Sequence, residues 1–161
     1  MSIKHYEGDL LESGCDYICH QVNCQGIMAS GIAKSIREKW PVVFEKYKMF
    51  LDHPQYQAGP GNLGTEPLGR IQYVDVNDKQ TVVNMFCQRS YGYDGKRYTS
   101  YDAFANALSE INKGIPKGSR IGFPYGIGCV RGGANWNIIE TMITEVLSED
   151  YQVEIWRFDK G

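Results

Sequence analysis

Two stretches of the sequence combine the residue types that anion chemistry needs. Residues 20–36 read HQVNCQGIMASGIAKSI, and residues 123–136 read FPYGIGCVRGGANW. Glycine lets a backbone turn tightly and approach a ligand closely. Where such a turn leads from a strand into a helix, its N–H groups and the helix N-terminus converge on phosphate. One turn of this kind is often only a tight connection, but two suggest a cleft for a diphosphate. His20 stands beside the first, shortly before Asn23. A histidine at its ordinary pKa of about 6.5 exchanges a proton near neutral pH, so it could activate a water or protonate a leaving oxygen. The alternative is a partly buried imidazole satisfied by a backbone group.

The cysteines offer less. Cys15, Cys19, Cys24, Cys87 and Cys129 form no CxxC pair and no Cys/His cluster of zinc-ligand spacing, and His5, His20 and His53 lie far apart. No metal site is expected. Cys19 and Cys87 sit in apolar runs and are expected as small buried thiols. Cys24 and Cys129 sit in the glycine-rich segments and could face a ligand, but neither has an adjacent His or Lys to lower its pKa. Gly126-Ile127-Gly128 has the wrong following spacing for a GxGxxG fingerprint, and the first strand ends in EGDLLESG. That argues against hydride transfer with a nicotinamide cofactor.

Elements of regular spacing are available to position both loops. β-branched and aromatic runs predict strands at 3–6, 17–22, 70–75, 81–86, 119–123 and 152–157, separated by helical patterns, which is the signature of crossover units around a mostly parallel or mixed sheet. Ile32, Ile36 and Trp40 fall at i, i+4 and i+8 after Gly31, and Pro41 marks a break before a second helical stretch at 42–51. Ser100 is expected to cap a helix that buries Phe104, Leu108 and Ile111 and ends with Gly114 at C′. Asn135 is expected to cap a helix carrying Ile138, Ile139, Met142, Ile143 and Val146. Residues 58–69 are too rich in Gly and Pro for regular structure and read as a surface loop.

At 161 residues with 42% hydrophobic and 22% charged residues, one globular domain over 1–161 is expected, large enough to need no staples. The net charge of −2 and a pI near 5.9 announce no basic face, so nucleic acid is an unlikely partner. The apolar stretches are too short for a membrane span, and the N-terminus lacks a signal-like core, so a cytoplasmic protein with no membrane contact is expected.

Gly8-Asp9-Leu10, then His20-Gln21-Val22-Asn23-Cys24-Gln25-Gly26 with Gly31-Ile32-Ala33, then Pro124 to Cys129, and the closing strand 153–156, together resemble the macrodomain, the ADP-ribose-binding module. The resemblance covers nearly the whole chain in order. It is similar above all to the single-domain branch containing ADP-ribose-1″-phosphate phosphatases and hydrolases that remove ADP-ribose from acidic side chains. Residues 88–99, QRSYGYDGKRYT, also resemble stand-alone members from bacteria and phages.

The resemblance implies a three-layer α/β/α fold around a mixed, mostly parallel sheet, and a monomer that binds ADP-ribose, its 1″-substituted derivatives or ADP-ribosylated protein without a cofactor. Asp9 would accept from the adenine amine, with Leu10 beside it at the ligand, the alternative for Asp9 being an Asx-type cap. Asn23 would reach the distal ribose, and Gly31, Ile32 and Ala33 would approach that ribose and the diphosphate. Gly126, Ile127, Gly128, Cys129 and Val130 would form the second phosphate loop, with Arg131 adding a charge-assisted contact. Trp156 or Phe158 would cover adenine. The lysine and aspartate that the covalent branch needs fall near Gln88 and at Gly132, which leaves His20, with Asn23, as the catalytic candidate. The implied activity is hydrolysis of a phosphate or acyl group from the 1″ carbon. A reader that binds without turnover is the alternative, and an RNA-binding module is a third that the acidic pI disfavours. The aromatic segment 91–101 is expected to form a loop over the distal ribose.

Overall fold

The computed structural model describes residues 3–56, 67–90, 96–129 and 132–158. Six strands form one sheet: β1 (Lys4–Glu7), β2 (Tyr17–Asn23), β3 (Ile71–Asp75), β4 (Thr81–Gln88), β5 (Arg120–Pro124) and β6 (Gln152–Arg157), in the spatial order β1-β6-β5-β2-β4-β3. Every pairing is parallel except β3 with β4. The helices are α1 (Gly31–Lys39), α2 (Pro41–Leu51), α3 (Tyr101–Gly114) and α4 (Trp136–Leu147). This is the three-layer α/β/α arrangement with a mixed, mostly parallel sheet.

Alternation along the central strands splits the core in two. Ile18 and Val22 of β2, with Val82 and Phe86 of β4, pack on Ile36 of α1 and on Val43, Tyr47 and Leu51 of α2. Cys19 of β2 and Val83, Met85 and Cys87 of β4 face Phe104, Leu108 and Ile111 of α3 and Ile139 and Ile143 of α4 on the other side. Strands covered on both faces need apolar residues at nearly every position, which β4 supplies over TVVNMFCQ. β1 lies at the sheet edge and all four of its residues are exposed.

The helix caps follow from side-chain chemistry. Ser100 Oγ accepts from Ala103 N at 3.1 Å, and Asn135 Oδ1 accepts from Asn137 N at 2.9 Å, as their residue types suggested. Pro41 opens α2 directly behind Trp40, which closes α1. Gly114 departs from expectation. It is the last residue of α3, with Ile115 as the cap, and it is absent from the positive-φ glycines. Space is the reason for a glycine there, since a Cβ would stand 2.5 Å from Tyr73 Oη. The glycine- and proline-rich loop 58–69 lies mostly outside the described residues.

No described helix is long and apolar enough to cross a membrane.

Candidate functional site

From β2 the chain winds through α1 and α2 toward β4 on one side, whereas β5 and β6 lie on the other. The winding direction therefore reverses between β2 and β5. In an open parallel sheet, the crevice at the carboxyl ends of such a pair is where ligands bind. The segment after β2 and the segment after β5 are the two glycine-rich loops, so they face each other across this crevice.

The first loop is held by side chains. Tyr47, wholly buried on α2, shares its one O–H between Asn23 O (2.6 Å) and Oδ1 (2.8 Å) and accepts from Gly26 N (3.0 Å). Asn23 Oδ1 also accepts from Gln25 N at 2.9 Å, and its amide donates to Ile27 O at 3.0 Å. A register slip between Val22 and Asn23 accompanies the turn of Asn23 toward α2. Asn23 was expected to offer its side chain to a ribose and share in catalysis. Its carbonyl oxygen is instead saturated by the loop, and the residue is 8% exposed, so it shapes the turn. Beyond it, α1 begins at Gly31 with φ +59°, and its N-cap Ser30 makes no side-chain capping bond. The N–H groups of Gly31, Ile32 and Ala33 thus lie at a helix start that no side chain caps.

The second loop is held by close packing. Ile127 is buried in the core, 4% exposed, and its N–H donates to Pro124 O at 3.1 Å. Gly126 has φ +76°, with nothing within 4 Å of a Cβ position. Gly128 and Gly132 lie instead against a polar cluster that sequence inspection missed. Gln21 donates to Gln88 Oε1 (2.5 Å) and Thr99 Oγ1 (2.7 Å), Gln88 donates to Ser90 O (2.9 Å), and Thr99 donates to Gly128 O (2.8 Å). Tyr98 N and Thr99 N both donate to Gly132 O, and Tyr101 Oη accepts from Asn135 N. The part of segment 91–101 that is described therefore packs against the second loop. A Cβ on Gly132 would stand 2.4 Å from Gly128 O, so no aspartate fits there. Alternation gave one signal for this cluster: a glutamine at 21 between buried neighbours needs partners.

His20 requires a correction. It is 0% exposed, on the α1/α2 face of β2. Lys46 O can only accept, so Gln72 Nε2 donates to it (2.9 Å), Asn84 Nδ2 donates to Gln72 Oε1 (3.0 Å), and His20 Nε2–H donates to Asn84 Oδ1 (2.5 Å). Nδ1 is left with a lone pair and no hydrogen-bond partner. Burial pushes the imidazole pKa down to about 4, against a smaller upward pull from Asn84. A neutral imidazole sealed in the sheet neither touches a substrate nor exchanges a proton at neutral pH, so the catalytic role expected of it does not stand.

At the far end of the crevice, Asp9 Oδ1 accepts from Leu11 N at 2.9 Å and caps the short turn Leu10–Glu12, leaving Oδ2 to other donors. The Leu10 side chain is core, 2% exposed. Trp156 stacks on Tyr6 (centroids 4.8 Å apart), abuts Gly8 and donates to Glu154 Oε1 at 2.9 Å. It is a pinned wall, whereas Phe158 is 54% exposed. Arg157 lies over the Tyr125 ring at 4.7 Å. The Cys129 thiol donates to Ile127 O at 3.4 Å, and burial pushes its pKa up. Cys19 and Cys87 are wholly buried. Val130 and Arg131 lie outside the described residues. Among the described residues, no group of His, Cys, Asp or Glu could hold a metal ion.

No family model and no curated protein matches the sequence. Solved structures do match. The macrodomain of Thermus aquaticus DarG is 20% identical, with 98% of each chain covered and a TM-score of 0.74. A protein of unknown function from Bacteroides thetaiotaomicron is 25% identical, with 98% of each chain covered and a TM-score of 0.79. Thermosipho africanus DarTG in complex with ADP-ribose is 17% identical over 96% of this chain and 41% of that one, with a TM-score of 0.72. The reversal between β2 and β5, the two facing loops and this end-to-end likeness establish that the chain has the macrodomain fold.

Proposed function

We propose that this chain binds ADP-ribose in the crevice between β2 and β5 and removes a group carried on its 1″ carbon. The observation that supports binding is the convergence of the uncapped start of α1 and the backbone of the second loop on one crevice, an arrangement suited to a diphosphate. The diphosphate would lie between Gly31–Ala33 and residues 126–131, with Val130 and Arg131 completing the second loop. Adenine would lie toward Asp9 Oδ2 and Phe158, and the distal ribose toward the loop that Asn23 shapes. The Thermosipho africanus structure, which holds ADP-ribose, supports the choice of ligand.

For the hydrolytic step, with His20 sealed, the attacking water is oriented by loop backbone groups and by the ligand's own phosphate. The substrates are free ADP-ribose derivatives or ADP-ribosylated protein, acted on by a monomer in the cytoplasm. A module that binds without turnover is the second reading, favoured by the sealing of His20. Turnover of ADP-ribose-1″-phosphate and O-acetyl-ADP-ribose separates the two. A thermal-shift assay tests the shared claim. At a hundredfold excess over Kd the ligand stabilises the native state by about 2.7 kcal/mol. No shift at millimolar ADP-ribose contradicts it.

A further inference from the structure

A single buried carboxylate ties together two parts of the crevice end where Asp9 and Trp156 lie. Glu154 of β6 is 5% exposed. Strand alternation puts it on the same face as Trp156, and Arg120 and Gly122 of β5 share that face. Arg120 grips the carboxylate with two arms, Nε to Oε2 at 2.7 Å and Nη2 to Oε1 at 3.1 Å. The Trp156 indole N–H donates to Oε1 at 2.9 Å, and the Cys15 thiol donates to it at 3.3 Å. Burial pushes the Glu154 pKa up, but the hydrogen bonds from Arg120, Trp156 and Cys15 outweigh it and leave the pKa lowered. Such a buried ion pair adds little stability over apolar residues of the same shape. What it adds is direction.

The same guanidinium also reaches into the turn that carries Asp9. Its Nη2 donates to Ser13 O at 3.0 Å and its Nη1 to Gly14 O at 3.3 Å. Leu10 and Cys15 lie so close on β5 that a Cβ on Gly122 would stand 2.5 Å from Leu10 Cδ1 and 2.9 Å from Cys15 Sγ. Gly122 therefore seats the segment 9–15 on the sheet, while Arg120 and Cys15 fasten it to Glu154. Trp156 is fastened to the same carboxylate.

We propose that Glu154 is a positioning residue for base recognition: through Arg120 and Cys15 it sets the Asp9 turn, and through the indole N–H it sets Trp156, fixing Asp9 Oδ2 relative to that wall. The inference rests on the ADP-ribose reading above and adds to it the source of selectivity for a base with an exocyclic amino group. Asp9 Oδ2 can only accept when ionised, so it suits the amine of adenine and opposes the carbonyl oxygen of an oxopurine. Glu154 itself meets no ligand, because protein donors occupy both of its oxygens.

The test uses two ligands that differ only in the base, ADP-ribose and inosine diphosphate ribose. Both are titrated calorimetrically into the wild type, Glu154→Gln, Asp9→Ala and the double variant. The wild type should prefer ADP-ribose by about tenfold or more, the scale of a hydrogen bond to a charged group. Glu154→Gln keeps the volume but sets an amide NH₂ against the Arg120 fork, and Arg120, with 37% of its side chain exposed, can rehydrate. The preference should fall to about threefold or less, with affinity for the inosine ligand unchanged. In the Asp9→Ala background, Glu154→Gln should leave the preference where Asp9→Ala alone puts it, since the effect passes through Asp9. Arg120→Lys keeps the charge but not the fork, so it should lower the preference too, and it carries the test if Glu154→Gln fails to fold. A preference that both single variants at Glu154 and Arg120 retain overturns the proposal, as does an equal loss for the two ligands or a further loss in the absence of Asp9. A wild type that binds both ligands equally overturns it as well. Failure of the wild type to bind ADP-ribose overturns instead the reading on which the proposal rests.

Discussion

The two glycine loops face the same crevice but are built by opposite means. The loop after β2 is tied by hydrogen bonds from Tyr47 and Asn23, and at Gly31 a Cβ would meet nothing. The loop after β5 is pressed onto Gln21, Thr99 and its own backbone, so that Gly128 and Gly132 have no room for a side chain. One is vulnerable to the loss of a partner and the other to the gain of an atom.

That contrast sets the expected order of mutational damage. Gly132→Ala forces a Cβ against Gly128 O, which sits 2.4 Å away and cannot swing aside as a side-chain tip would. Denaturant unfolding should show a loss of about 1–3 kcal/mol or more, together with lost ADP-ribose binding. Tyr47→Phe removes a donor and an acceptor at once and leaves buried Asn23 O and Gly26 N short of partners. It should cost about 1–3 kcal/mol of stability and weaken ADP-ribose, whereas ligand affinity at wild-type level would show that the loop does not depend on the tie. Gly126→Ala meets no atom and suffers only from φ +76°, so a loss of about 1–2 kcal/mol at most is expected in the same unfolding assay.

A further prediction sharpens the contrast between the polar groups on the two faces of β2. His20 titrates at about 4 folded and near 6.5 unfolded. Between those values the unfolded chain binds more protons, so its contribution is intact above about pH 6.5 and is lost as pH falls toward 4, up to about 3 kcal/mol. Unfolding midpoints measured between pH 7 and 4 should show this decline, and His20→Gln should flatten it. The Gln21 cluster carries no titratable group and adds no such slope.

The layers and loops were legible because they rest on local chemistry: the β-branched and aromatic run at Tyr17 to Val22, the caps Ser100 and Asn135, and the break at Pro41. The reversal between β2 and β5 was not read from the sequence, because the order of strands along the chain does not fix their order in the sheet. What escaped was set by partners far away in the chain. His20 looked like an acid–base residue because nothing adjacent reveals that Asn84 and Gln72 complete a row across three strands. Asn23 looked like a ligand contact because Tyr47, on another helix, is invisible at its position. Gly114 looked like a turn residue, and only Tyr73, on an edge strand, shows that it is a space-maker. Interior polar residues are partnered across the fold, so their roles are read from contacts and not from neighbours in sequence.

The central claim, that the crevice between the loops is the ligand site, is tested most directly by amide-resonance mapping. Titration of the isotope-labelled protein with ADP-ribose should perturb the backbone amides of residues 24–33 and 125–134 and those around Asp9. The amides of the opposite sheet edge, around Asn77 to Gln80, should stay still. Perturbations centred on that opposite edge, or none at millimolar ligand, would contradict the account.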